Sequence, residues 1–134
     1  MNDKKKLKVF LIEDAERIRS VLIEVLQQAE NIEVIGFAES EKEALYQLRS
    51  IEWDVAIVDI GLREGSGLAV LSGLHSDGCQ YGSRLVFTSN PSNALKTRTM
   101  SLGAEGFFDK SREMDGLVGH IQALALYAVL QASE

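Results

Sequence analysis

Val55-Ala56-Ile57-Val58-Asp59 is the stretch from which the fold of this chain can be read. Its two valines and its isoleucine are β-branched, and such residues favour an extended strand. Four apolar residues in unbroken sequence are typical of a strand that is covered on both faces, as in a parallel sheet. Asp59 stands where that strand would end, and ligand sites of open α/β sheets lie just outside the carboxyl ends of the strands. Asp59 is therefore either a capping or turn carboxylate or the reactive group of a site.

Segments with strand character alternate along the chain with segments whose apolar residues recur at helical spacing. This alternation through short links predicts an α/β fold, with a five-stranded parallel sheet, helices on both faces and right-handed crossovers. No repeat or linker appears, so we expect one domain over 1–134, with a core of about 7–131. The predicted strands are 7–12, 32–38, 55–59, 84–88 and 106–109, and the predicted helices are 15–29, 41–51, 67–75, 93–102 and 114–131.

The ends and faces of the helices can also be predicted. Serines before three helices predict N-caps, and Asp14 is a candidate cap for the first helix. The first helix carries a clear apolar stripe, whereas the fourth has a thin one. The caps are Ser40, Ser66 and Ser92; the stripe of the first helix is Ile18, Val21, Leu22, Val25 and Leu26; the thin face is Ala94, Leu95 and Leu102.

The composition of the 134 residues argues against several classes of function. With 14 basic and 20 acidic residues the net charge is −6, which does not fit a general nucleic-acid surface. No apolar run approaches the ~20 residues of a membrane span, and no signal peptide follows the start. Cys79 is the only cysteine, which excludes an internal disulfide, and with two histidines it does not support a zinc site. We expect a cytoplasmic protein with neither nucleic acid nor membrane as a direct partner.

The carboxyl ends of the predicted strands carry a set of groups with one chemistry: Glu13, Asp14, Asp59, Thr88 and Lys110. Three carboxylates on one rim repel each other, and a divalent cation would offset that repulsion. An all-oxygen site suits Mg²⁺. A hydroxyl and an ammonium can donate hydrogen bonds to phosphoryl oxygens. The set therefore indicates Mg²⁺-assisted phosphoryl transfer to a carboxylate nucleophile.

At these residues the sequence resembles the receiver domain of response regulators in two-component signalling. The resemblance runs from Leu7 to Gln131 and implies a flavodoxin-like (βα)5 fold with strand order 2-1-3-4-5. The matching motifs are Glu13-Asp14, Asp59 followed by Ile60-Gly61-Leu62 and Gly65-Ser66-Gly67, Thr88 after the fourth strand, and Gly103-Ala104-Glu105-Gly106-Phe107 leading to Lys110.

The resemblance implies a role for each matching residue. Asp59 matches the phosphoacceptor, which takes a phosphoryl group from the phosphohistidine of a sensor kinase or phosphotransfer protein. Asp14, Asp59 and the backbone carbonyl of Gly61 match Mg²⁺ ligands, with Glu13 acting through water. Lys110 matches the cation that pairs with the phosphorylated aspartate. Such a domain catalyses only its own phosphorylation and dephosphorylation, so we do not expect an enzyme with a separate substrate.

A switch is implied as well. Thr88 matches the hydroxyl that moves toward the phosphoryl group, and Phe107 matches an aromatic side chain that fills the space it leaves. The surface around the fourth and fifth helices would then change for a downstream protein target. Two departures concern the loops: the family often has proline at the position of Arg63 and usually has proline at that of Ser111. We expect a trans Lys110–Ser111 bond, because a non-proline cis bond costs roughly 2.5–4 kcal/mol. The small Gly61 leaves the lifetime of the phosphorylated state open.

The last helix has two apolar faces. The inner stripe is Leu117, Ile121, Leu124, Ala125 and Ala128, and the opposite face, called here the outer α5 face, is Ala123, Leu126, Tyr127 and Leu130. Four apolar residues on one face can mark an interface, either a homodimer or a contact with a target protein. Since Phe107 lies on the neighbouring predicted strand, we expect that phosphorylation can tune this face. Tolerated exposure and contact with a further segment of chain remain alternatives.

Other classes of function make different demands on these residues. A flavodoxin-like nucleotide-binding module needs a glycine- or hydroxyl-rich phosphate loop after the first strand, where Glu13-Asp14 stands instead. An aspartate-nucleophile hydrolase would need a second acid at the position of Gly61. A pseudo-receiver that acts only as a protein-docking module, and a receiver fragment of a longer transcriptional regulator, remain open.

Overall fold

A computed structural model describes residues 6–132, and in it five parallel strands form one sheet in the order β2-β1-β3-β4-β5. Strand order and parallel direction confirm the predicted flavodoxin-like fold. The elements are β1 (Leu7–Ile12), α1 (Glu16–Leu26), β2 (Ile32–Ala38), α2 (Glu41–Ser50), β3 (Val55–Val58), α3 (Gly67–Ser76), β4 (Ser83–Thr88), α4 (Asn93–Ser101), β5 (Ala104–Asp109) and α5 (Met114–Ala132).

The central strand β3 lies between β1 and β4, and its four residues are buried. Each face of the sheet has its own apolar core. On one face, Leu22 of α1 and Ile121 of α5 pack with Val9 and Ile57. On the other face, the core is formed with residues of α2 and α3. The unbroken apolar run of β3 therefore reflects helices on both sides, as parallel sheets require.

The first helix differs from its prediction at both ends. Its N-cap is Ala15, with no side-chain cap, so the expectation that Asp14 caps it is wrong. It ends at Leu26 instead of residue 29, because the N–H groups of Gln28 and Ala29 bond three residues back and not four. The apolar stripe is also shifted.

Within the predicted stripe of α1, Val21 is 40% exposed. Its expected place in the core is therefore wrong. Arg19 is buried instead, one helical turn before Leu22. The inward face is rotated toward Arg19, because this cation finds acceptors beside the first strand, as described below.

The three predicted serine caps are present. The hydroxyl oxygens of Ser40, Ser66 and Ser92 each accept a hydrogen bond from the backbone N–H three residues further along. The fourth helix, α4, has a thinner inner face than expected. Ala94 is exposed, and the buried residue of the helix is Thr99, whose hydroxyl donates to a backbone carbonyl one turn earlier. This helix is therefore held by little apolar burial.

The last helix, α5, packs as its pattern predicts. Leu117, Ile121 and Ala125 are buried against the sheet. Strand β5 begins at Ala104, two residues before the predicted start. Within the described residues, no helix has both the length and the apolar character needed to cross a bilayer. On the outer α5 face Ala123 is exposed, and Leu126, Tyr127 and Leu130 are exposed by 57%, 62% and 57%.

Candidate functional site

The acidic residues predicted for the site lie together at the carboxyl edge of the sheet. One oxygen each of Glu13, Asp14 and Asp59 lie within 4.8 Å of one another. Strand pairing brings them together, since Ile12 is in register with Val58 and the Asp59 N–H donates to the Ile12 carbonyl at 2.9 Å. We call these three carboxylates the acidic rim.

Lys110 supplies a positive charge to this rim. Its ammonium lies 2.8 Å from Glu13 Oε1 and 3.0 Å from Asp59 Oδ2. The lysine follows β5, and its backbone N–H donates to the Thr88 carbonyl at 2.9 Å, which fixes the direction in which the side chain leaves the sheet. One ammonium thus bridges the ends of the first and third strands.

The crowding of charges shifts two pKa values. Burial raises the pKa of Glu13, and the charge on Asp59 adds to this, although the hydrogen bond from Lys110 acts in the opposite direction. Burial lowers the pKa of Lys110, but its bonds to Glu13 and Asp59 outweigh that effect and leave the pKa raised. Lys110 therefore stays charged at neutral pH. The anionic form of Glu13 is disfavoured unless a further cation binds nearby.

Asp59 is held by the backbone around it. The Gly61 N–H donates to Asp59 Oδ1 at 3.2 Å. At Gly67 an added Cβ would collide with the backbone carbonyl oxygen of Asp59, so only glycine allows α3 to begin so close to the strand. Gly61 itself has open space where a side chain would stand. The metal-ligand role of the Gly61 carbonyl stays a prediction.

Arg19 contacts Glu13 and holds it in place, and this contact was not predicted from the sequence. Its Nη1 donates to the Glu13 backbone carbonyl at 2.8 Å and lies 2.9 Å from Glu39 Oε2. Its guanidinium also lies over the Phe37 ring, 4.1 Å from the centroid. The sequence contained one signal of a buried cation, because Arg19 stands at the spacing of the inner apolar stripe of α1. Glu13 Oε2 is oriented from the other side by the Ala15 N–H at 3.1 Å.

Both positions where the family often has proline are filled by residues whose N–H groups donate to a carboxylate. The Arg63 N–H donates to Asp14 Oδ2 at 2.6 Å. The Ser111 N–H donates to Asp109 Oδ1 at 2.9 Å, and its hydroxyl donates to the same oxygen at 2.8 Å. These bonds lower the pKa of Asp109. The Lys110–Ser111 bond is trans, as expected. Proline could form neither backbone bond.

The two predicted switch residues, Thr88 and Phe107, make different contacts. Thr88 is buried, and its hydroxyl oxygen accepts from the Asn90 N–H at 3.1 Å. No hydrogen bond joins it to Asp59 within residues 6–132. Phe107 is half-buried and packs on the sheet face that α2 and α3 cover. Phe108 packs on the α5 side, so Phe107 and Phe108 lie on opposite faces of the sheet, because side chains alternate along a strand.

The rim has the chemistry of a site for a hard divalent cation. All three groups are carboxylates, their oxygens are close, and one lysine leaves negative charge in excess. Oxygen ligands in this number suit Mg²⁺, which keeps several waters when bound. The residues therefore fit the cation that the receiver family uses.

Comparison with known proteins identifies the family. The model for the response regulator receiver domain matches residues 9–122. The chain is 30% identical over 120 residues to the nitrate/nitrite response regulator protein homolog of Haemophilus influenzae, covering 90% of this chain and 57% of that protein. It spans about half the length of the curated relatives it matches.

Solved structures share the fold. The signal receiver domain of the response regulator NarL from Mycobacterium tuberculosis superimposes with a TM-score of 0.80 at 21% identity, over 90% of this chain and 97% of that one. A CheY-like receiver domain protein from Methanospirillum hungatei gives 0.79 at 19% identity, over 95% and 99%. Because the family model matches most of this chain, the chain belongs to the response regulator receiver domain family.

Proposed function

We propose that the chain receives a phosphoryl group on Asp59 from the phosphohistidine of a sensor histidine kinase or phosphotransfer protein, in a Mg²⁺-dependent reaction. The observation that carries this proposal is the joining of three carboxylates and one lysine at the carboxyl edge of the sheet. A purely structural role would not gather like charges at such a cost.

In the proposed reaction, a carboxylate oxygen of Asp59 attacks phosphorus. The O–P bond forms as the P–N bond to the donor imidazole breaks, and the leaving nitrogen keeps the bonding electrons and takes up a proton. Lys110 already contacts Asp59 Oδ2 at 3.0 Å and can donate to phosphoryl oxygens. Mg²⁺, when bound, neutralises the charge on the phosphoryl oxygens. Asp14, Asp59 and the Gly61 carbonyl would hold it directly, and Glu13 would act through water.

The response to phosphorylation would pass through Thr88 and Phe107. The Thr88 hydroxyl would leave the Asn90 N–H and donate to the phosphoryl group, and Phe107 would fill the vacated space. Because α4 buries only Thr99 fully within the described chain, its position can change at small cost. We propose that a downstream protein recognises the surface around α4 and α5 that results.

The setting follows from the same proposal. We propose one receiver domain over residues 1–134 that acts in the cytoplasm, where histidine kinases present their phosphohistidine. It would catalyse only its own phosphorylation and dephosphorylation. The matched segments cover 58% and 52% of relatives named as transcriptional regulators, which supports the alternative that this receiver serves a longer regulator. For the outer α5 face we propose association between two copies of the chain.

Intact-mass measurement after incubation with acetyl phosphate tests the phosphoacceptor. Wild type should gain one phosphoryl group with Mg²⁺ and none in EDTA, and Asp59→Asn should gain none. Asp77→Asn is the matched control, because Asp77 pairs with Arg49 and takes no part in the acidic rim. Labelling of Asp59→Asn at the wild-type rate, or full labelling in EDTA, would contradict this assignment, and a wild type that gains no phosphoryl group would leave the pseudo-receiver as the better interpretation.

A further inference from the structure

Arg63 contacts the acidic rim but has no part in the phosphotransfer proposed above. Its backbone N–H donates to Asp14 Oδ2 at 2.6 Å, and its Nη2 donates to the Asp14 backbone carbonyl at 3.1 Å. Its Nε lies 3.5 Å from Asp14 Oδ2. Three groups of one residue, 49 positions away in the sequence, are thus directed at a predicted Mg²⁺ ligand.

The two cations at the rim divide the carboxylates between them. Lys110 is paired with Glu13 and Asp59. The described ion pairs join Asp14 to Arg63 and not to Lys110. Without a metal ion, the Arg63 guanidinium is therefore the counter-charge of Asp14. It stabilises the metal-free rim where Lys110 does not reach.

The guanidinium is held far less firmly than the backbone N–H of the same residue. The Arg63 side chain is 79% exposed, whereas the Asp14 side chain is 12% exposed. Both residues line an open cleft of about 370 Å³. A long exposed side chain can leave such a contact at small cost, because a surface ion pair contributes little stability. The backbone donor stays in place and keeps Asp14 oriented.

We propose that the Arg63 guanidinium is a tethered cation that competes with Mg²⁺ for Asp14. A divalent cation at the rim repels a guanidinium a few ångströms away, so binding of the metal requires the side chain to leave Asp14. The competition weakens Mg²⁺ binding and stabilises the metal-free protein. The inference rests on the metal site of the proposed function and adds a residue that sets its affinity.

Calorimetric titration with Mg²⁺ tests the competition in the full chain. Arg63→Gln removes the charge and keeps the backbone N–H, so it should bind Mg²⁺ about two- to five-fold more tightly at low ionic strength. Added salt should reduce this difference, because the charge is exposed. Arg63→Lys should remain close to wild type. Arg49→Gln is the matched control: Arg49 also pairs with one aspartate, Asp77, and its loss should leave Mg²⁺ affinity unchanged.

Thermal unfolding separates competition from a structural role. In EDTA the midpoint of Arg63→Gln should fall, while the rise that Mg²⁺ causes should be larger than in wild type. A structural role alone would lower the midpoint without tighter binding. If wild type binds Mg²⁺ and Arg63→Gln binds it no more tightly, the inference fails and the proposed metal site stands. If wild type takes up no Mg²⁺, the metal site fails and the inference with it.

Discussion

Single residues at the acidic rim bring like charges together at the expense of stability. Glu13, Asp14 and Asp59 bring like charges within 4.8 Å, and Lys110 and Arg63 offset only part of that repulsion. The raised pKa of Glu13, which follows from its burial and from Asp59, has the same origin. Removing one rim carboxylate should therefore stabilise the metal-free protein.

Asp59→Asn should raise the free energy of unfolding in EDTA by on the order of 1 kcal/mol, because like-charge repulsion at this distance exceeds the loss of one bond to Lys110. Urea unfolding at pH 7 measures the change. The added stability that Mg²⁺ confers should be smaller in the variant.

Glu52→Gln provides the matched control for that measurement. It changes the net charge equally, but its side chain is 91% exposed and pairs only with Lys8 among the described ion pairs. Its effect should be within ±0.5 kcal/mol. A variant Asp59→Asn that is less stable than wild type in EDTA would show that repulsion at the rim is not the governing term.

Among the elements, the strands fix the site and the helices differ in how firmly they are held. The ends of β1 and β3 are in register, which positions Asp14 and Asp59 just beyond the ends of adjacent strands. By contrast, α4 has a buried threonine where other helices have apolar residues, so its local free energy of opening should be low. It is the element best suited to move.

Amide hydrogen exchange tests this role of α4. With beryllofluoride and Mg²⁺, exchange in residues 89–107 should slow, because the phosphoryl mimic fixes Thr88 and the loop that follows it. Thr88→Ala should bind the mimic and show a smaller change. Exchange in this segment that is unaffected by beryllofluoride in wild type would contradict the proposed switch.

Most elements could be predicted because their signals are local. The β-branched run of β3 and the serine caps depend on residues close in sequence, and both are found. The partner of Asp14 could not be predicted in this way. Arg63 meets Asp14 across 49 positions, and the absence of proline there indicated a changed loop without naming a contact. Arg19 was missed for the same reason, since its acceptors lie on two other segments.

In the whole molecule, the predicted switch residue Phe107 packs on the sheet face that is opposite to the α5 side. Phe107 packs with the α2 and α3 side, and Phe108 meets α5, where its ring lies 5.9 Å from that of His120. Any effect of Phe107 on the outer α5 face is therefore expected to be indirect. Association through the outer α5 face that is independent of phosphorylation can therefore be distinguished from association that depends on it.

Sedimentation at increasing protein concentration tests association through the outer α5 face. Wild type should form dimers, because Leu126, Tyr127 and Leu130 expose apolar side chains together on one face of α5. Leu126→Glu with Leu130→Glu should remain monomeric, and Tyr46→Glu, which alters an exposed aromatic residue on α2, should behave as wild type. A wild type that stays monomeric with and without beryllofluoride would rule out the homodimer.

We propose that Asp59, and no other carboxylate of the rim, carries the phosphoryl group. Borohydride reduces an acyl phosphate to an alcohol, so a phosphorylated aspartate becomes homoserine, and peptide mapping locates it. After treatment with acetyl phosphate and Mg²⁺, we expect homoserine at position 59 alone, and none after treatment in EDTA. Homoserine at position 14, or an unmodified position 59 in a protein whose mass shows the phosphoryl group, would contradict the assignment of Asp59 as the phosphoacceptor.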